Sequence, residues 1–296
     1  MTNKKKFRIS KIFIHLIFIL LSLSCIVPLL IILSISFTSE SVLMTEGYQL
    51  LPKDFTTKAY TYVFSGASSV VRAYGVTIAV TFIGTFLHLL TTAMLAYALT
   101  RKEVKARNFI SFIVFFPVLF SGGLVPYYIL IVKILHLKNT IWVLVAAGLV
   151  GPMNVIIMKN FFRSIPESLI EAARIDGSNE YRTLFQIVIP LSTPSLATIG
   201  LFTAIGYWNN WMQCSLFIET PKLNTLQYLL QSLMNNIKYL QANASAVKGM
   251  EKALGNLPSE GARMATCILS IGPIILLYPL IQKYFEKGLT IGAVKE

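Results

Sequence analysis

Charge is what this chain has least of: 13% of its 296 residues are Asp, Glu, Lys or Arg, against roughly 25% in an average soluble domain. That shortage excludes an ordinary water-soluble globule, and 55% hydrophobic residues with a mean hydropathy of +0.66 place the chain in a membrane. Cysteine is nearly absent too. Cys25, Cys214 and Cys267 are odd in number and have neither paired nor metal-ligand spacing, so no disulfide framework or structural metal is expected, only small buried apolar side chains. His15, His88 and His136 are scattered, whereas a membrane-embedded enzyme would cluster His, Asp or Glu at one membrane face. The long apolar stretches contain no Asp, Glu, Lys or Arg, and a secondary transporter or channel would need intramembrane charges or charged rings there. The Gly-rich lysine loop that cradles nucleotide phosphates is also missing. Energy for any transport is therefore expected to come from another chain, and this one is expected to be non-catalytic.

What is present is a set of apolar runs. A hydrocarbon core needs roughly 20 apolar residues per helix, and windows of that kind, read with some latitude, occur at 12–36, 73–100, 108–132, 141–158, 191–218 and 264–282. The first follows five basic residues but is too long for a signal-peptide core, so it is expected to remain as an uncleaved span. Basic residues are retained on the cytoplasmic side. Residues 1–11 carry five Lys/Arg and 101–107 carry four, which predicts both termini, the 160–190 loop and the 283–296 tail in the cytosol, and the 219–263 loop outside. Pro28, Pro117, Pro126, Pro273 and Pro279, with Gly122 and Gly123, interrupt several windows, the third most of all.

The 160–190 loop carries helix signals. Ser164 and Glu167 have capping-box spacing, and Gly177 suits the left-handed position past a helix end. Between them a short amphipathic helix is expected, with Ile165, Leu169, Ala172 and Ala173 on one stripe and Glu167, Glu171 and Arg174 on a charged side. Its mixed-sign polar face is not that of a simple lipid-binding helix.

Glu171-Ala172-Ala173, Asp176-Gly177, Ile187 and Pro190 together resemble the EAA signature of binding-protein-dependent ABC importer permeases. Further stretches, 120–126, 154–162, Tyr207-Trp208-Asn209 and 278–295, narrow the resemblance to permeases for complex polysaccharides and uronate oligosaccharides. Ser178 departs from the usual Ala, and Glu296 from the usual Gly. The resemblance implies an all-α integral membrane protein with six transmembrane helices, the type I ABC importer permease fold and cytosolic termini. It implies a homologous permease partner, two ATPase subunits that carry the ATP and Mg, an extracytoplasmic sugar-binding protein and a carbohydrate substrate, with no cofactor on this chain and no role for nucleic acid. The EAA helix would couple the ATPases to the spans by alternating access, and the tail with Gly288, Gly292 and Lys295 would reach between the ATPases. Candidate sugar contacts are Tyr207, Trp208 and Trp211 on one helical face, Asn209 and Gln213 on a neighbouring one, and Asn154, Tyr127 and Tyr128 as weaker candidates. Aromatic rings can stack on sugars and amides can bond hydroxyls; a bilayer-interface belt is the competing reading for these aromatics.

Overall fold

The computed structural model describes residues 2–242 and 260–275, and among these there is helix and no strand ladder. The chain divides into two compact units, Met1–Ala67 with Leu230–Pro273, and Ser68–Leu229 with Ile274–Glu296.

In the first unit α1 runs over Thr2–Ser36, α2 over Glu40–Glu46 and α3 over Lys58–Val63. A further helix, α14, is described over 260–275. Pro28 lies inside α1 without ending it. The carboxylate of Glu40 accepts from the backbone N–H groups of Glu260 and Gly261, at 3.1 and 3.4 Å. It thereby satisfies two of the orphan donors at the start of α14. Gly261 is where α14 approaches α3, since a β-carbon there would stand 3.2 Å from that of Ala59.

The second unit contains α4 (Ala67–Thr100), α5 (Arg107–Leu119), α6 (Leu124–Ile134), α7 (Ile141–Ala146) and α8 (Pro152–Arg163). It continues with α9 (Glu167–Ile175), α10 (Glu180–Leu191), α11 (Thr193–Trp208) and α12 (Met212–Phe217), and α13 (Leu226–Ala242) begins here. Two buried clusters organise it. One joins Tyr97, Val155, Met158, Phe162, Leu184, Val188 and Ile199, with Ile165 packed against it. The other joins Val80, Ile131, Val143, Tyr207, Cys214 and Phe217.

Several expectations from the sequence change here. Among the described residues two helices are long and apolar enough to cross a membrane alone, Phe13–Ser36 and Ser68–Thr100. The third, fourth and fifth windows are each broken, at 120–123, 147–151 and 209–211. A break of this kind is tolerated at membrane depth only where other groups satisfy the freed backbone. At the fourth window they do: the Tyr207 hydroxyl donates to the Val145 carbonyl at 2.7 Å, the Thr91 hydroxyl to that of Leu149 at 2.7 Å, and His88 Nδ1 bonds that of Gly148 at 2.6 Å. The sixth window lies partly outside the described residues, as does the 219–263 loop, which holds α13 in its described part. Cys214 is buried as expected, but Cys25 and Cys267 are exposed on the chain's own surface because they sit on outward faces of α1 and α14.

Candidate functional site

The 160–190 segment forms the helix expected of it, by a different start. Ser164 is not the N-cap: its hydroxyl turns back to the Phe161 carbonyl at 2.6 Å, and Pro166, with extended ψ of 128°, precedes the first turn of α9. The capping box does not form because Ser164 is still in the helical region, closing α8. The buried stripe is also rotated from the expected one. Ile170 and Ala173 are buried, whereas Leu169 is 44% exposed and Ala172 is exposed, so the outward face carries Leu169, Glu171, Ala172 and Ile175.

Gly177 has φ of +78°. Its N–H donates to the Arg174 carbonyl at 3.0 Å and that of Ser178 to the Ala173 carbonyl at 2.9 Å. This is the paired helix-ending arrangement that only a left-handed residue completes. Asp176 precedes it as C-cap.

Arg174 locks α9 to its surroundings. It bonds Glu103 at 2.7 Å and Glu180 at 2.9 Å, and Lys102 stands 3.7 Å from Glu167. Glu180 also accepts from the Tyr97 hydroxyl at 2.6 Å, and Arg101 lies 4.4 Å over the Tyr97 ring. Burial opposes ionisation of Glu180, but the Tyr97 hydroxyl and Arg174 outweigh it and hold the carboxyl below its usual range. Arg174 in turn lowers Glu103. Beside this network a pocket of about 310 Å³ is lined by Tyr97, Arg101, Glu103, Glu180 and Leu184, among others.

Downstream, Asn179 caps α10 by accepting from the Arg182 N–H at 2.8 Å. The helix carries a wider turn over Leu184–Val188, with Ile187 half-buried, and Pro190 is exposed near its end. It meets α11 at 83°. Proline explains the elbow: Pro194 has no N–H for the Pro190 carbonyl, and the Thr193 hydroxyl donates to that oxygen instead, at 2.7 Å.

The candidate sugar contacts are split rather than gathered on one helical face, because α11 ends at Trp208 and α12 starts at Met212. Tyr207 is buried, with its hydroxyl on Val145. Its ring fills the space above two glycines: a β-carbon on Gly84 or Gly148 would come within 2.6 or 2.9 Å of it. Trp208 is buried and tilts against Tyr74 at 6.4 Å. Asn154 bonds His88 Nε2 at 2.9 Å, so that His88 joins α4 to α8, the packing role a lone histidine suggests. Tyr127 donates to Gln213 at 3.3 Å. Asn209 and Trp211 are exposed at the break, where Gln227 bonds Asn209 at 3.3 Å. Sequence reasoning placed Arg174 on the charged side of the helix but missed its partners Glu103 and Glu180, whose spacing carries no motif. Gly288, Gly292 and Lys295 lie outside the described residues.

Residues 101–291 match the family described as "Binding-protein-dependent transport system inner membrane component". The chain belongs to this family. The permease is 38% identical to Protein LplC of Bacillus subtilis, over 91% of its own length and 89% of that protein's. It is 35% identical to the polygalacturonan/rhamnogalacturonan transport system permease protein YtcP of the same organism, over 98% and 99%. A solved chain from a bacterial ABC transporter involved in the import of the acidic polysaccharide alginate superposes with a TM-score of 0.79 at 29% identity, covering 94% of the permease and 97% of that chain. The permease is thus an inner-membrane, multi-pass transport component, and its likeness to LplC and YtcP extends beyond the matched segment to nearly its whole length.

Proposed function

We propose that this permease is the translocation subunit of an ATP-driven importer of an oligosaccharide or polysaccharide, non-catalytic itself. It would work with a homologous permease subunit, two ATPase subunits that bind ATP and Mg, and an extracytoplasmic sugar-binding protein. One observation carries the reading. α9 is held on its inner side by Ile170, Ala173 and the Arg174 ion pairs, while Glu171, Ala172 and Leu169 face outward from an anchored helix. An exposed, rigidly mounted amphipathic helix is what a groove on a partner would grip. Closure of the ATPases on ATP would push α9, and Arg174 would pass the displacement through Glu103 to α4 and through Glu180 to α10 and the 83° elbow. The carbohydrate class is supported by the names of the relatives and the structural neighbour. At the α11–α12 break, Asn209 and Trp211 would face the sugar path, with Trp208 and Gln213 beside them, while Tyr207, Asn154 and Tyr127 hold its frame. The test is purification of the tagged permease from its own membranes, followed by sugar uptake with Glu171→Lys and Asn209→Ala. Glu171→Lys should release the ATPase subunits. Asn209→Ala should keep them, with stimulation of ATP hydrolysis by the loaded binding protein intact, and lose uptake. A permease that purifies without any ATPase, or uptake untouched by both substitutions, refutes the assignment.

A further inference from the structure

Three cations meet on the seam between α5 and α8. Lys159 of α8 reaches Ser111 of α5, its ammonium 3.3 Å from the hydroxyl and 5.7 Å from the centre of the Phe115 ring. One helical turn nearer the 101–107 loop, on the same two faces, stand Arg107, four residues before Ser111, and Arg163, four residues after Lys159. Each arginine thus stands one helical turn from a member of the Lys159–Ser111 contact. Burial and the charges of Arg163 and Arg107 oppose the charge on Lys159. Among the described residues none of the three forms an ion pair, while Glu167, Glu103 and Glu180 are engaged by Lys102 and Arg174.

Like charges at this spacing repel, and partial burial of Lys159 weakens the screening. An anion lying between the groups would relieve that repulsion. The surroundings identify its kind. α5 starts just after the end of the membrane-crossing α4, and its neighbouring face is apolar and bare: Phe109 and Phe112 are 66% and 62% exposed. Phe112, Phe116 and Phe120 form a continuous ladder, with ring centres 5.6 and 4.8 Å apart, leading away from the cations along α5. A phosphate on the cations with hydrocarbon along the phenylalanines is the chemistry of a membrane phospholipid. We propose that the Arg107–Lys159–Arg163 seam, with the Ser111 hydroxyl, is a binding site for the phosphate headgroup of an anionic phospholipid whose acyl chain lies along the Phe112–Phe116–Phe120 ladder.

The full-length permease purified in a neutral detergent tests this by its melting temperature and by the lipid it retains in native mass spectrometry. Phosphatidylglycerol should raise the melting temperature and remain bound, phosphatidylcholine at the same concentration should do neither, and sodium phosphate should not reproduce the effect. Each cation neutralised should weaken retention about five-fold, so Arg107→Gln/Lys159→Gln/Arg163→Gln should lose the bound lipid altogether. Equal shifts with both lipids, retention unchanged in the triple variant, or the same stabilisation by free phosphate would each overturn the assignment. A triple variant that keeps its lipid but sheds the ATPase subunits would do so as well, marking the seam as a protein interface. Should the triple variant fail to insert, Lys159→Gln and the headgroup comparison on the unmodified chain still decide.

Discussion

The end of α9 turns on Gly177, and it allows a prediction in which the backbone effect is isolated from packing. Its φ is +78°, and a β-carbon built there meets nothing within 4 Å. Any loss on substitution is therefore the cost of holding an L-residue in the left-handed region. That cost is roughly 1–2 kcal/mol for alanine, and β-branching makes valine worse still. Asparagine, whose short polar side chain tolerates this conformation, should cost least. With 1.4 kcal/mol equal to about ten-fold in an equilibrium, Gly177→Ala should shift the α9 terminus about ten-fold toward conformations lacking the Arg174 and Ala173 carbonyl bonds. Valine should abolish the terminus. If α9 is the coupling element, sugar uptake in membrane vesicles should fall in the order Gly, Asn, Ala, Val, while the amount of inserted permease stays constant. The ATPase stimulation caused by the loaded binding protein should fall in parallel. Normal uptake with valine, or a loss that follows side-chain size rather than left-handed tolerance, would refute the reasoning.

Three further outcomes follow from other parts of the molecule. Tyr207→Phe strips one hydroxyl from a buried ring and removes one of two partners of the Val145 carbonyl at the fourth-window break, the Gly148 N–H remaining, which should cost about 1 kcal/mol and appear as a lower melting temperature of the purified chain; Gly84→Ala should lower it further, because the ring it strikes cannot swing away while its hydroxyl is bound. Glu40→Ala removes the carboxylate at the start of α14 and should destabilise the chain by about 1 kcal/mol, with Glu40→Gln recovering part of the loss as a neutral acceptor, measured in the same melting assay. Glu103 and Glu180 are both held below the ordinary carboxylate range, so their contribution is complete above the unfolded-state value and is lost as pH falls through the lower folded value. ATPase retention should therefore be level from about pH 6 to 8 and fall only in acid at or below the carboxylate range, and Arg174→Gln should shrink that acid step, the Tyr97 hydroxyl still holding Glu180 down; a step near neutrality would show that another group governs it.

The sequence by itself determined the solvent of this protein and the identity of its signature segment. Sparse charge and long apolar runs leave only a membrane as environment, and Glu171 through Pro190 keep their spacing because helix, left-handed turn and proline are local events set by neighbouring residues. Local rules failed where two of them competed. Ser164 could cap α9 or close α8, and the hydroxyl went to the nearer carbonyl. Hydropathy also reads as continuous across a break, because Gly148, Leu149 and Asn210 are uncharged whether helical or not. What made the breaks possible is tertiary: His88 and Thr91 of α4 and Tyr207 of α11 supply the partners that residues 145–149 lose. The same holds for Arg174 and for the Arg107–Lys159–Arg163 seam. Their roles depend in part on distant groups, Glu103 71 positions from Arg174 and Ser111 48 positions from Lys159, and the sequence shows these only as separate residues until packing sets them within reach of one another.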